Sequence, residues 1–142
     1  MRKIETQIEI NCSAKKVWDA LVDFQSYAKW SPFIMDIEGP LKEGSQLKVT
    51  ICSPKGKKMS FSPQLIKVDK EQKLSWQGKF VIKGLFDGAH MFEIVPLEKN
   101  KVLFIQVEYF SGLLVSLLWK IIQPRTQSGF EAMNKALKEY LE

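Results

Sequence analysis

The sequence is poor in the residues that build metal centres and redox sites, with two cysteines and one histidine among 142 residues. Cys12 and Cys52 stand far apart with no CxxC pair, so neither a structural zinc nor a disulfide is expected. Glycine and proline number only 8 and 6, which excludes collagen-like and low-complexity chains. No apolar run reaches the ~18 residues that a membrane-crossing helix needs. The longest, Leu113 to Ile122, is interrupted by Ser116 and Lys120 and followed by Pro124. Stable membrane insertion is therefore not expected. The opening Met1-Arg2-Lys3-Ile4-Glu5 carries no apolar core of a secretory signal, so a cytoplasmic location is the expectation. GxSxG, GxGxxG, Walker-type glycine loops and HExxH are all missing, which leaves hydrolase, nicotinamide, kinase and zinc-protease chemistry without support. No cofactor and no metal are expected.

What is present describes one ordinary domain over residues 1–142. Hydrophobic residues make up 45% and charged residues 26%, enough to build a core and a solvated surface. The net charge of +5 comes mainly from scattered lysines, as at Lys15-Lys16 and Lys57-Lys58. No Arg-rich helix or aromatic-interleaved basic stripe occurs, so a nucleic-acid partner is not expected.

Hydrophobic periodicity orders the elements. Ile4, Thr6, Ile8 and Ile10 alternate with Glu5, Gln7 and Glu9, the period of a half-buried strand. Ser13 can cap a short helix whose Ala14, Val17, Trp18, Leu21 and Val22 share one face. A second short helix carries Phe24, Tyr27 and Ala28 and must end before Pro32. Six strand patterns follow between Phe33 and Phe110. One of them, Met59 to Val68, changes phase midway, which predicts a bulge near Pro63 or Leu65. Leu113 to Leu141 reads as a long helix that Pro124 must kink or divide. The order predicts an α+β fold: two short helices after the first strand, then a seven-stranded curved antiparallel sheet wrapped around a long C-terminal helix. Such a sheet, closed by one helix, leaves a cavity between them.

The run from Ala14 through Trp18, Leu21, Asp23 and Phe24 to Tyr27, Trp30, Pro32 and Phe33 resembles the opening of the SRPBCC, or START-like helix-grip, superfamily. Trp76 with Gly78, then Gly88, His90, Phe92 and Pro96, look like its polyketide cyclase/dehydrase branch. Glu108, Phe110 and Gly112, with Gly129 to Leu137, are similar to that branch too, although Ser31 stands where Asn is expected after the tryptophan. The resemblance implies a helix-grip domain, and a fold that hosts both carriers and enzymes.

Two functions therefore compete. One is binding of a small hydrophobic ligand of lipid, polyketide or isoprenoid type, in a cavity lined by Trp76, Phe80, His90, Phe92, Glu108, Phe110, Leu118, Trp119 and Ile122. The other is a cyclase or dehydratase using His90 and Glu108 as an acid/base pair. Strand register decides whether those two side chains meet. A three-residue Glu98-Lys99-Asn100 loop sets His90 opposite Glu108, whereas a two-residue Lys99-Asn100 loop sets it opposite Tyr109. The resemblance favours Glu108; the apolar alternation of Leu103, Ile105 and Val107 favours Tyr109. Trp18 and Trp30 read as packing residues. The helix segment around Trp119 is apolar on all sides, so it faces the cavity, a second copy in a homodimer, or a lipid surface.

Overall fold

The computed structural model describes residues 1–52, 56–79 and 86–142. Strand β1 (Arg2–Ile10) is followed by helix α1 (Ala14–Val22), a 3-10 turn (Phe24–Ser26) and the single-turn helix α2 (Tyr27–Trp30). Ser13 caps α1, its hydroxyl accepting the Lys16 backbone N–H at 3.2 Å. The buried Tyr27 hydroxyl donates to the Leu21 carbonyl at 2.6 Å, which locks α2 against α1. Burial also holds the Tyr27 phenol far above its ordinary pKa, so it acts purely as a neutral donor.

Strands β2 (Ile34–Glu38), β3 (Lys48–Cys52), β4 (Lys58–Phe61), β5 (Gln64–Asp69), β6 (Lys73–Lys79), β7 (Asp87–Glu98) and β8 (Lys101–Ser111) follow, then helix α3 (Leu113–Leu141). All named pairs are antiparallel, in a five-stranded sheet β1-β8-β7-β6-β5 and a three-stranded sheet β2-β3-β4. The expected seven strands in one sheet are thus eight in two among the described residues. The difference lies at Met59 to Val68. Pro63 cannot donate to a ladder, and the chain leaves one sheet at Phe61 and enters the other at Gln64. The predicted irregularity is also present, between Leu65 and Lys67. Hydrogen bonds from Leu47 N–H to the Pro63 carbonyl and from Leu65 N–H to the Ser45 carbonyl stitch the two sheets at that seam.

The long helix is not divided. It runs unbroken through Pro124, whose missing N–H leaves the Lys120 carbonyl without its usual partner in the helix. Its C-terminal half lays Phe130, Met133, Leu137 and Leu141 on the sheet, all buried. One polar residue interrupts that stripe. Asn134 donates to Thr6 Oγ1 at 2.9 Å and accepts from Gln106 Nε2 at 2.6 Å, joining α3 to β1 and β8. All three side chains are buried. Asn134→Ala strands Thr6 and leaves Gln106 Nε2 only its long 3.4 Å contact to the Phe130 carbonyl, so a loss of about 2–3 kcal/mol is expected. Chemical denaturation checks this, and an unchanged midpoint would contradict it.

Cys12 is buried and Cys52 half-buried, and neither forms a disulfide. Burial pushes the Cys12 thiol pKa up, partly offset by Lys16, so the reactive thiolate is disfavoured.

Candidate functional site

The face of the five-stranded sheet that meets α3 is set by register. Strand β7 pairs with β8 so that His90 opposes Glu108, Phe92 opposes Gln106 and Ile94 opposes Phe104. On the far side of β7, Trp76 of β6 opposes His90. Residues directly opposite one another lie on the same face, so Trp76, His90 and Glu108 form a row across three strands.

The two registers open in the sequence are resolved by a bulge. The turn is the tight one, with Glu98 paired to Lys101, but the pairing shifts between Pro96 and Glu98. Leu97 is the extra residue, and it returns the rest of the hairpin to the His90–Glu108 alignment. Tyr109 is directed to the opposite, exposed face.

His90 Nδ1 lies 2.9 Å from Glu108 Oε1. The His90 side chain is 4% exposed and that of Glu108 12%. A carboxylate only accepts, so with this partner Nδ1 is the donor. His90 Nε2 is buried with no partner among the described residues. The ring is held from three sides. Trp76 stacks on it at 5.1 Å, while Phe92 and Phe130 meet it edge-on at 4.6 and 5.1 Å. Such packing fixes the direction in which Nε2 points.

A cavity of about 570 Å3 opens beside this row. It is bounded by Trp76, His90, Glu108 and Phe110 on the sheet side and by Leu114, Leu118, Ile121, Ile122, Arg125, Thr126 and Phe130 on α3. Phe33, just before β2, and Ile34, Ile51, Met59 and Phe61 of β2, β3 and β4 close it from the other side. Lys57 and Lys58 belong to the same wall. The size suits a small organic ligand, and the lining is mainly apolar with few polar groups.

Of the residues singled out in the sequence, Trp76, His90, Glu108, Phe110, Leu118 and Ile122 border this cavity. Two do not. Phe92 is fully buried in the core behind His90, because the helix end carrying Met133 and Leu137 covers that part of the sheet. Trp119 turns away from the cavity, packing on Phe110 at 5.8 Å with Arg2 over its ring at 5.3 Å. Phe80 lies outside the described residues.

Several lining residues escaped the sequence reading. Leu114, Ile121 and Arg125 share a helix face with Leu118 and Ile122, so helical spacing alone would have found them. Phe33 and Phe61 carry no such signal. Their place depends on how the three-stranded sheet folds over the larger one.

The whole chain, residues 1–142, matches the family described as polyketide cyclase / dehydrase and lipid transport. No curated protein matches it. Among solved structures, the Zhui aromatase/cyclase from a Streptomyces species superposes with a TM-score of 0.81 at 11% identity, covering 99% of this chain and 93% of that one. A START superfamily protein from Mycobacterium smegmatis gives 0.77 at 18% identity, covering 98% and 96%. The di-domain ARO/CYC protein BexL gives 0.76 at 9% identity over 97% of this chain, which spans 47% of BexL. At these identities the likeness is one of fold.

Proposed function

Because the chain belongs to the polyketide cyclase / dehydrase and lipid transport family, we propose that its cavity binds a small, largely apolar molecule carrying one hydrogen-bonding group that His90 orients. The observation that carries this reading is the buried Nε2 of His90, without a partner among the described residues, on the wall of a mainly apolar cavity. A polar atom so placed is costly unless something pairs with it. With Nδ1 donating to Glu108, the Nε2 lone pair accepts from a ligand hydroxyl. Affinity comes mostly from the apolar remainder. About 300 Å2 of buried ligand surface supplies roughly 7 kcal/mol before the cost of association.

Native mass spectrometry of freshly purified protein, followed by extraction and identification of the bound species, tests this reading. A co-purifying apolar molecule with a hydroxyl or acid group is expected. If the protein carries nothing and also fails to take up an apolar dye such as Nile red, ligand binding is wrong. His90→Ala should weaken binding about tenfold, the effect of one hydrogen bond of about 1.4 kcal/mol.

The 2.9 Å contact between His90 and Glu108 favours a second reading, an enzyme of cyclase or dehydratase type. In a dehydration, Nε2 would take a proton from the carbon next to a carbonyl and return it to the departing hydroxyl, releasing water. Glu108 would hold the ring and stabilise its protonated form. The variants separate the two readings. In an enzyme His90→Ala abolishes turnover and spares binding, and Glu108→Gln slows turnover strongly; in a carrier His90→Ala costs affinity alone.

A further inference from the structure

The N-terminal half of α3 leaves large aliphatic side chains in solvent. Leu113 is 77% exposed, Leu117 79% and Ile121 52%. At about 100° per residue these three fall on one stripe of the helix, and Leu114, Leu118 and Ile122 fall on the adjoining stripe that lines the cavity. The exposed stripe therefore continues the cavity wall outward past its mouth. Met59, also half exposed, meets it from β4 across the opening. An apolar surface of this kind in one patch is uncommon on a protein that stands alone in water.

Basic side chains dominate around the patch, with one acid, Asp87, opposite Ser111 beside the start of α3. Lys120 is exposed on α3, and Lys57, Lys58 and Arg125 are exposed on the cavity rim. The two segments concerned, residues 51–68 and 109–130, contain no Asp or Glu. Glu108, the only acid among the described cavity-lining residues, is nearly buried against His90. A second copy is a poor occupant for this face, because a two-fold interface sets each patch against itself and brings like charges together. A surface that is apolar within and negative at its boundary complements it on both counts.

We propose that this face of α3 docks on an anionic lipid bilayer, with Leu113, Leu117 and Ile121 entering the headgroup boundary and the surrounding lysines and Arg125 meeting lipid phosphates. Docking is peripheral, since no helix among the described residues is long and apolar enough to cross a membrane. The cavity mouth then opens toward the lipid.

Vesicle co-sedimentation, with protein to which no ligand has been added, tests the proposal independently of what the cavity holds. The protein is expected to bind vesicles of equimolar phosphatidylglycerol and phosphatidylcholine, to ignore phosphatidylcholine alone, and to release as salt is raised. Leu117→Glu should weaken binding at least ~10-fold, because it sets a charge against the apolar boundary and among acidic headgroups. Lys58→Glu combined with Arg125→Glu should do the same, and Leu97→Glu, at the distant hairpin, should change nothing. Both single glutamate variants place the charge on exposed positions, and circular dichroism verifies that they fold. No binding to acidic vesicles, or equal binding by Leu117→Glu, overturns the proposal. So does a concentration-dependent dimer in light scattering that Leu117→Glu dissolves, which would assign the face to a second copy.

Discussion

Gly129→Ala is expected to reduce uptake of an apolar ligand more than about tenfold while leaving the fold nearly as stable as before. A methyl group at position 129 would stand 2.3 Å from Phe33 Cδ1 and 2.6 Å from its Cε1, closer than carbon atoms approach. The ring must move. It lies between α3 and the cavity and already meets Phe130 edge-on at 5.7 Å, so the cavity is the open direction. The two stability effects nearly cancel. Alanine favours the helix interior by about 1 kcal/mol, and the displaced ring costs about 1–3 kcal/mol. Binding has no such compensation, because the displaced ring takes up ligand volume. Nile red titration together with thermal unfolding checks both halves. Phe33→Leu added to Gly129→Ala should restore much of the uptake by vacating the contested space. Unchanged uptake in the single variant would show that Phe33 yields in some other direction.

The largest loss of stability is expected at Phe104. This ring is fully buried at the heart of the sheet face under α3 and stacks on Phe92 at 5.7 Å, and Phe92 in turn supports His90 at 4.6 Å. Phe104→Ala removes an aromatic ring and leaves a hole that a covered central strand cannot close, for a cost of about 3–5 kcal/mol. The melting temperature should fall by roughly 10 °C or more. Leu97→Ala, at an exposed position, should stay within about 0.5 kcal/mol of the parent. The same substitution reports on the site. If the Phe104–Phe92 tier holds the imidazole in place, ligand affinity drops even where Phe104→Ala is fully folded; if affinity survives, His90 is held by Trp76 and Glu108 alone.

Local pattern sufficed for the elements. Alternation in β1, the spacing of Val17, Trp18 and Leu21 in α1, the Ser13 cap, and the stripe Phe130, Met133 and Leu137 each follow from one period and its neighbours. Their order already implied an antiparallel sheet covered by one helix. Where sequence reading failed, the deciding interaction was distant. Whether Pro63 marks a bulge within one strand or a passage between two sheets depends on Leu47 and Ser45, which pair with that region from across the molecule. The helix expected from Leu113 to Leu141 is present over those residues, and of the two effects expected of Pro124, a kink or a division, the division does not occur.

By itself, the sequence determined the succession of strands and helices and the face that each would bury, because both depend on residues a few positions apart. Only the tertiary structure decided the site. The Leu97 bulge, one residue long and far from the cavity, brings Glu108 rather than Tyr109 to His90. The three-stranded sheet brings Phe33 and Phe61 to the same space, and coverage by the end of α3 removes Phe92 from it. A strand repeats every two residues, so a one-residue offset exchanges the whole set of side chains facing the cavity, and the apolar alternation of Leu103, Ile105 and Val107 favours the offset that the folded chain does not adopt.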